Sequence, residues 1–241
     1  MNLIIDIGNT FVKLAVFQSD KLFYRQIIEK KGLLENVEQI KNKFPEVKQA
    51  IISSVAHLSN TEWDVLKKQF KLLLLSPSVL LPFTNNYGTP KTLGVDRIAL
   101  VSAAVNQYPN KNVLVVDVGT CITYDFVTSA LVYLGGAISP GLQMRYRALH
   151  TFTSKLPLLE IESPNYIIGG NTNQSIHSGV INGTVNEIEG FIERYKQKYS
   201  DLTVILTGGD SNFLAEQLKS SIFVNSNFLL EGLNFILKYN S

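Results

Sequence analysis

Ile4-Ile5-Asp6-Ile7-Gly8-Asn9 and Val115-Val116-Asp117-Val118-Gly119-Thr120 are two copies of one pattern, set almost half the chain apart. Each opens as a run of β-branched apolar residues, the mark of a buried strand, and closes on turn chemistry. Each leads into another β-rich run, Phe11–Phe17 in the first copy and Ile122–Thr128 in the second. A third candidate strand follows in both, Lys21–Ile28 and Leu131–Ile138. No repeat of the length that builds solenoids accompanies the pair, so the pattern is a duplication of domains. The sequence therefore predicts an α/β protein of two related halves. The boundary falls in the polar stretch Asn110-Lys111-Asn112, giving an N-terminal domain 1–111 and a C-terminal domain 112–241.

The remaining elements fit that frame. Leu33, Leu34, Val37, Ile40 and Phe44 have helical spacing over Gly32–Phe44. Ala50–Val55 and Leu72–Leu75 read as strands on either side of a helix Trp63–Phe70, which Ser59-Asn60-Thr61-Glu62 can start. Ser76–Thr92 carries no clear period and is longer than ordinary connections, as functional loops often are. Val95–Tyr108 and Pro140–Phe152 read as helices. A long amphipathic helix within Asn173–Tyr199 puts Ile181, Val185, Ile188 and Ile192 on one face. Thr203–Leu206 is a strand ending in Thr207-Gly208-Gly209-Asp210. Helices at Asn212–Lys219 and Leu229–Tyr239, with a strand near Ile222–Val224, complete the second half.

Composition excludes several classes. Hydrophobic residues are 45% and charged residues 17% of 241, which suits a folded globular chain. Twenty-two basic and 20 acidic side chains leave a net charge of +2, too weak and too dispersed for electrostatic capture of nucleic acid or membrane. The only cysteine, Cys121, cannot close an internal disulfide, which fits a reducing compartment. Asp6 interrupts the first apolar run and no basic segment precedes it, so the start does not read as a signal peptide. The apolar stretches are far shorter than a bilayer span. The expectation is a cytoplasmic protein.

Asp-x-Gly at the end of a buried strand places a carboxylate at the mouth of a sheet. The glycine lets the next turn approach a ligand, and backbone N–H groups in such a turn can cradle phosphate oxygens. A carboxylate there can hold Mg²⁺, directly or through water. Gly208-Gly209 ends a third strand where backbone could approach a nucleoside. The plain alternative is that Asp and Gly merely terminate strands, as they commonly do; two copies at equivalent positions weigh against it. Neither G-x-x-x-x-G-K-[ST] nor G-x-G-x-x-G is present, which disfavours P-loop and Rossmann sites. His57, His150 and His177 have no metal-ligand spacing, and Cys121 at the head of a buried strand reads as a small core residue.

A more specific signal lies in the order of short motifs. They are Asp6-Ile7-Gly8-Asn9-Thr10 with Lys13, Tyr87 before Gly94-Val95-Asp96-Arg97, and Asp117-Val118-Gly119-Thr120. Gly135-Gly136-Ala137-Ile138-Ser139-Pro140-Gly141, Leu156-Pro157, Gly170-Asn171-Thr172 and Thr207-Gly208-Gly209-Asp210 follow. In this order the chain resembles the type III pantothenate kinases, within the actin/sugar-kinase/Hsp70 superfamily, over nearly its whole length. The resemblance implies two duplicated ribonuclease-H-like (actin-like ATPase) domains, with mixed central sheets flanked by helices and a nucleotide and substrate cleft between them. It implies ATP-dependent phosphorylation of pantothenate, the first step of coenzyme A biosynthesis. ATP would be bound by Asp6, Ile7, Gly8, Asn9, Thr10, Phe11, Val12, Lys13 and Thr120, with Asp6 near Mg²⁺ through water. Pantothenate would be held by Tyr87, Gly94, Val95, Asp96, Arg97 and Thr172, with Asp96 as general base and Arg97 suited to the substrate carboxylate. Asp117 would hold a monovalent cation, K⁺ or NH₄⁺, and the protein would be a homodimer.

Plainer roles stand beside these. Asp96 can simply favour a helix N-terminus, Lys13 can be a strand lysine, Thr172 can cap the long helix, and Tyr87 can be a packed aromatic. Two other functions remain open at this point: a kinase of the same superfamily acting on another hydroxylated metabolite, and a non-catalytic accessory factor for transcription. Retention of Asp6, Asp96 and Asp117 argues against the latter.

Overall fold

The computed structural model describes residues 1–8, 11–54, 58–76 and 78–241. The chain divides into two compact units. Met1–Pro109, Leu131–Tyr133 and Asn227–Ser241 form the first, and Asn110–Ala130 with Leu134–Ser226 form the second.

The first unit contains β1 (Asn2–Ile7), β2 (Phe11–Gln18), β3 (Lys21–Glu29), α1 (Leu33–Lys43), β4 (Gln49–Ser54), α2 (Asn60–Gln69), β5 (Lys71–Leu74), β6 (Thr84–Asn85) and α3 (Val95–Gln107). Five of these strands form a sheet ordered β3-β2-β1-β4-β5. It is mixed: β1 runs antiparallel to β2 and parallel to β4. Period-two alternation divides β1 between the faces of the sheet. Leu3, Ile5 and Ile7 pack with Val12, Leu14, Val37, Ile40 and Leu66 in one core. Asn2, Ile4 and Asp6 take the opposite face. The helix α2 starts on a capping box, Ser59 with Glu62, as Ser59-Asn60-Thr61-Glu62 foreshadows.

The second unit holds β7 (Asn112–Val118), β8 (Cys121–Val127), β9 (Val132–Pro140), α4 (Leu142–Thr151), α5 (Thr172–His177), α6 (Gly183–Lys198), β10 (Leu202–Thr207), α7 (Ser211–Ala215) and β11 (Phe223–Val224). Its core gathers Leu114, Val116, Val118, Tyr124, Ile188 and Leu206. The sheet order is β11-β10-β7-β8-β9-β6. The last pairing, Thr84↔Val132 and Asn85↔Tyr133, belongs with the first unit.

The duplication is visible in the strand order and in its register. Leaving β6 aside, the two sheets have the same order when β1 is matched to β7, β2 to β8 and β4 to β10. Asp6 stands opposite Lys13 on its antiparallel neighbour and Ser53 on its parallel neighbour. Asp117 stands opposite Thr123 and Thr207 in the same two positions. The turns differ by one residue: the Gly8 N–H donates to the Phe11 carbonyl, and the Gly119 N–H to the Cys121 carbonyl.

Several elements differ from the sequence reading. A two-residue strand, β6, lies inside the stretch that carries no period, because two residues cannot display one. The helical run expected over Asn173–Tyr199 begins at Thr172 and passes through a π-helical turn, Ser178–Asn182, between α5 and α6. The helix expected over Asn212–Lys219 is the five-residue α7. The last helix, α8 (Phe228–Tyr239), falls in the second half by chain order but packs in the first unit. Its reason is burial. Every residue of α3 from Arg97 to Val105 is buried, so α3 needs cover on more than the sheet side. Gly232 allows the close approach, since a Cβ there would overlap the Ala99 carbonyl oxygen. Asn234 of α8 also accepts from the Asn2 side chain and donates to the Ser19 carbonyl, both at 2.8 Å.

Candidate active site

In the first unit, Asp6 comes at the C-terminal end of a central strand, on the face opposite the Leu3/Ile5/Ile7 core. It is 7% exposed. Lys13, directly across the antiparallel pairing, places its ammonium 3.5 Å from Asp6 Oδ2. Ser53, across the parallel pairing and 1% exposed, hydrogen-bonds the same carboxylate. Burial pushes the Asp6 carboxyl up; Lys13 and Ser53 pull it down, and the Asp96 carboxylate pushes it up again. The net position is above the usual carboxylate range. Asp6 and Asp96, ninety residues apart in sequence, thus share one electrostatic neighbourhood.

Asp96 lies in the first turn of α3, where the helix N-terminus favours negative charge. Its Oδ1 accepts from the Arg97 N–H at 2.8 Å. The helix-opening role is therefore real, and it leaves the rest of the carboxylate half-exposed. Gly94 is the N-cap, and its carbonyl receives the Ile98 N–H at 3.2 Å. Arg97 is buried, and its guanidinium lies 5.4 Å from the centre of the Tyr87 ring. Tyr87 in turn stacks on Tyr133 at 6.1 Å, and its N–H donates to Asn85 Oδ1 at 3.0 Å. The structure therefore brings Tyr87 and Arg97 together, and Asp6, Lys13 and Asp96 together. Ile7 and Val12 are core residues, Phe11 is exposed, and Asn9, Thr10 and His57 lie outside the described residues.

In the second unit, Asp117 occupies the place that Asp6 takes in the first. Gly208 has φ of +98°, and a Cβ there would overlap both the Val118 carbonyl oxygen and Asp117 Oδ1. Two oxygens, one a backbone carbonyl's and one a carboxylate's, thus pack against the bare Cα of Gly208. The Asp210 N–H donates to the Val118 carbonyl at 3.1 Å, which ties this turn to the strand end, and burial pushes the Asp210 carboxyl up. Thr120 is exposed at the tip of its turn, its carbonyl receiving the Gly141 N–H. Cys121 is half-buried.

Thr172 lines an open groove of about 730 Å³ with Arg145, Leu149, Leu156 and Ile176. It does not cap the helix: Asn171 is the cap, its Oδ1 accepting from the Gln174 N–H at 3.0 Å. Behind the groove, Glu187 receives Arg145, Ser139 and Tyr124. Burial pushes the Glu187 carboxyl up, but those hydrogen bonds outweigh it and hold the group below its usual range. His150 and His177 are occupied structurally, bonded at 2.8 Å to the Leu156 carbonyl and to the Tyr146 hydroxyl.

Among the described residues, no three His, Cys, Asp or Glu side chains gather as a metal cage. The Asp6 carboxylate with the Ser53 hydroxyl is a hard oxygen set. It fits a cation such as Mg²⁺, which brings waters and phosphate oxygens as its remaining ligands. Sequence reasoning missed Ser53 and the Glu187 network. The former was legible only as a polar residue ending an apolar strand, and the latter as an acid beside an apolar helix face.

Comparison with known proteins bears on the family and the fold. The sequence profile of the type III pantothenate kinase family matches residues 2–194. A type III pantothenate kinase from Christiangramia forsetii is 56% identical over 240 residues, covering 100% of this chain and 99% of that one. One from Bacteroides fragilis is 45% identical over 242 residues, with 100% and 99% covered. Among solved structures, a conserved proposed Baf family transcriptional activator from Campylobacter jejuni superposes with a TM-score of 0.62 at 24% identity, covering 99% and 98% of the two chains. A glucokinase from an Antarctic psychrotroph does so with a TM-score of 0.55 at 12% identity, covering 99% and 98%. These structural likenesses establish the actin-like ATPase and sugar-kinase fold, and the sequence relatives go further: the chain belongs to the type III pantothenate kinase family.

Proposed function

We propose that the chain transfers the γ-phosphoryl group of ATP to the primary hydroxyl of pantothenate, forming 4′-phosphopantothenate in the first step of coenzyme A biosynthesis. The observation that carries this reading is the placement of Asp96 at the start of α3, within electrostatic reach of Asp6. One carboxylate serves the nucleotide end of the reaction and the other its acceptor end. Asp96 takes the hydroxyl proton as the new O–P bond forms and the bond to ADP breaks. Its half-exposed carboxylate retains acceptor capacity beyond the Arg97 N–H. Arg97 and Tyr87 hold pantothenate, the guanidinium fork suiting a substrate carboxylate. Gly94 and Val95 contribute to the same pocket, and Thr172 adds a contact from its groove.

Asp6 to Lys13 and Thr120 bind ATP. Asp6 would hold Mg²⁺ through water, and the ion would there supply charge neutralisation for the transferring phosphoryl group. Asp117 holds K⁺ or NH₄⁺, and the working form is a cytoplasmic homodimer.

The test is phosphorylation of pantothenate by the purified protein with ATP and Mg²⁺, with K⁺, with NH₄⁺ and with neither. Cation-dependent 4′-phosphopantothenate is expected. Asp96→Asn should lower turnover by about 10²–10⁴ with melting unchanged. A folded Asp96→Asn enzyme with near-normal turnover would remove Asp96 as base. No product from wild-type protein in any condition would turn the reading toward another hydroxylated substrate.

A further inference from the structure

Asp6 has two supports of different character. Ser53 is 1% exposed on the neighbouring parallel strand, directly beside Asp6. Lys13 is 39% exposed in its side chain and reaches Asp6 at 3.5 Å, longer than the roughly 2.7–2.9 Å of a tight charge-assisted hydrogen bond. One support is enclosed and the other reaches solvent. We propose that Lys13 is an exchangeable counter-ion: it neutralises Asp6 in the nucleotide-free protein and leaves it for the phosphates when the nucleotide brings a divalent cation to Asp6.

The duplication supplies an independent argument. In the second half, Thr207 takes the place of Ser53 and Thr123 the place of Lys13. A buried hydroxyl on the parallel neighbour is kept in both halves, with Thr207 2% exposed. The ammonium is present only in the first. A strand-turn-strand unit around Asp-x-Gly therefore exists in this chain without a lysine at this position.

Electrostatics then sets the order of events. A carboxylate this buried is costly to ionise without an opposite charge nearby, and Lys13 provides one in the free protein. A divalent cation arriving beside Asp6 supplies more charge and repels the ammonium at short range. Phosphate oxygens entering with that cation offer the ammonium a new partner. The long, flexible lysine side chain lets it make the move without displacing β2.

The proposal rests on the assignment of Asp6–Lys13 to the nucleotide, and its test separates the two. Lys13→Thr makes the substitution the second half already carries. Binding of Mn²⁺ alone is followed by the electron paramagnetic resonance of the free ion. Binding of a non-hydrolysable ATP analogue with Mg²⁺ is followed by calorimetry. Lys13→Thr should bind Mn²⁺ alone about five-fold tighter than wild type, because the competing charge is gone. It should bind the Mg²⁺–nucleotide about ten-fold more weakly, because a phosphate contact is gone. Adding Asp6→Asn should abolish the gain in Mn²⁺ affinity. A variant that weakens both ligands, or leaves Mn²⁺ affinity unchanged, would overturn the exchange and make Lys13 a fixed brace. Retention of that gain in the double variant would place the ion elsewhere and overturn it too. Wild-type protein that fails to bind the nucleotide would sink the kinase assignment itself.

Discussion

Gly208 and Gly209 are neighbours for which the structure predicts opposite responses to one methyl group. Gly208 has φ of +98°, a region costing an L-residue about 1–2 kcal/mol. A Cβ there would also overlap the Val118 carbonyl oxygen and Asp117 Oδ1, both in the second unit's central strand. The Val118 carbonyl cannot yield cheaply, because it is backbone and also receives the Asp210 N–H. Overpacking of this kind adds about 1–3 kcal/mol, for a total of about 2–5 kcal/mol. At roughly 2–4 °C per kcal/mol for a chain of this size, Gly208→Ala should melt about 4–20 °C below wild type. A Cβ on Gly209 meets nothing within 4 Å and its φ is not in the left-handed region. Gly209→Ala should stay within about 1 kcal/mol of wild type. Thermal melts by circular dichroism decide the matter. Because Asp117 Oδ1 must move, Gly208→Ala should also alter the response of the reaction to K⁺ and NH₄⁺. Equal melting shifts for the two variants would refute the reasoning, since it distinguishes them by backbone geometry and clearance alone.

Three further outcomes follow from other sites. Glu187 is held below its usual range in the folded protein, so its stabilisation is present above the unfolded pKa and disappears as pH falls through the folded one. Melting of wild type below about pH 4.5 should fall more steeply than that of Glu187→Gln, and parallel curves would contradict the assignment. Gly232→Ala forces a Cβ against the Ala99 carbonyl and should cost about 1–3 kcal/mol, read as a lower urea midpoint with unchanged slope. Tyr87→Leu removes the ring that lies between Arg97 and Tyr133, and should raise KM for pantothenate about ten-fold while changing kcat less. An unchanged KM would exclude Tyr87 from the substrate pocket.

The parts legible in the sequence were those whose signal is local. Two runs of β-branched residues ending in Asp-x-Gly sufficed to read a duplicated α/β chain, because strand alternation and turn chemistry operate over a few residues. Asp6 and Asp117 stood out for the same reason. What stayed hidden depends on partners distant in the chain. Ser53 matters only because β4 lies parallel to β1 in a register that sets it beside Asp6. Glu187 looks like a surface acid of an amphipathic helix until Tyr124, Ser139 and Arg145 close on it from other elements. The placement of α8 with α3 is likewise non-local, and chain order pointed the wrong way. Asn171 rather than Thr172 as the cap was a choice between adjacent residues, both of types that cap helices.

The pairing of α3 with α8 has a consequence for biosynthesis. On a ribosome, the α8 sequence follows that of α3 by about 120 residues, a lag of roughly 6–24 s at about 5–20 residues per second. During that interval the Ala99/Ala103 side of α3 has no helical cover, and the nascent chain carries an open apolar seam. The second unit, whose segments run from Asn110 to Ser226, is fully synthesised before the first unit can be finished. Translation order and folding order are therefore inverted for the unit that emerges first. Factors that shield nascent apolar surface should affect the yield of this protein through α3 more than through any element of the second unit.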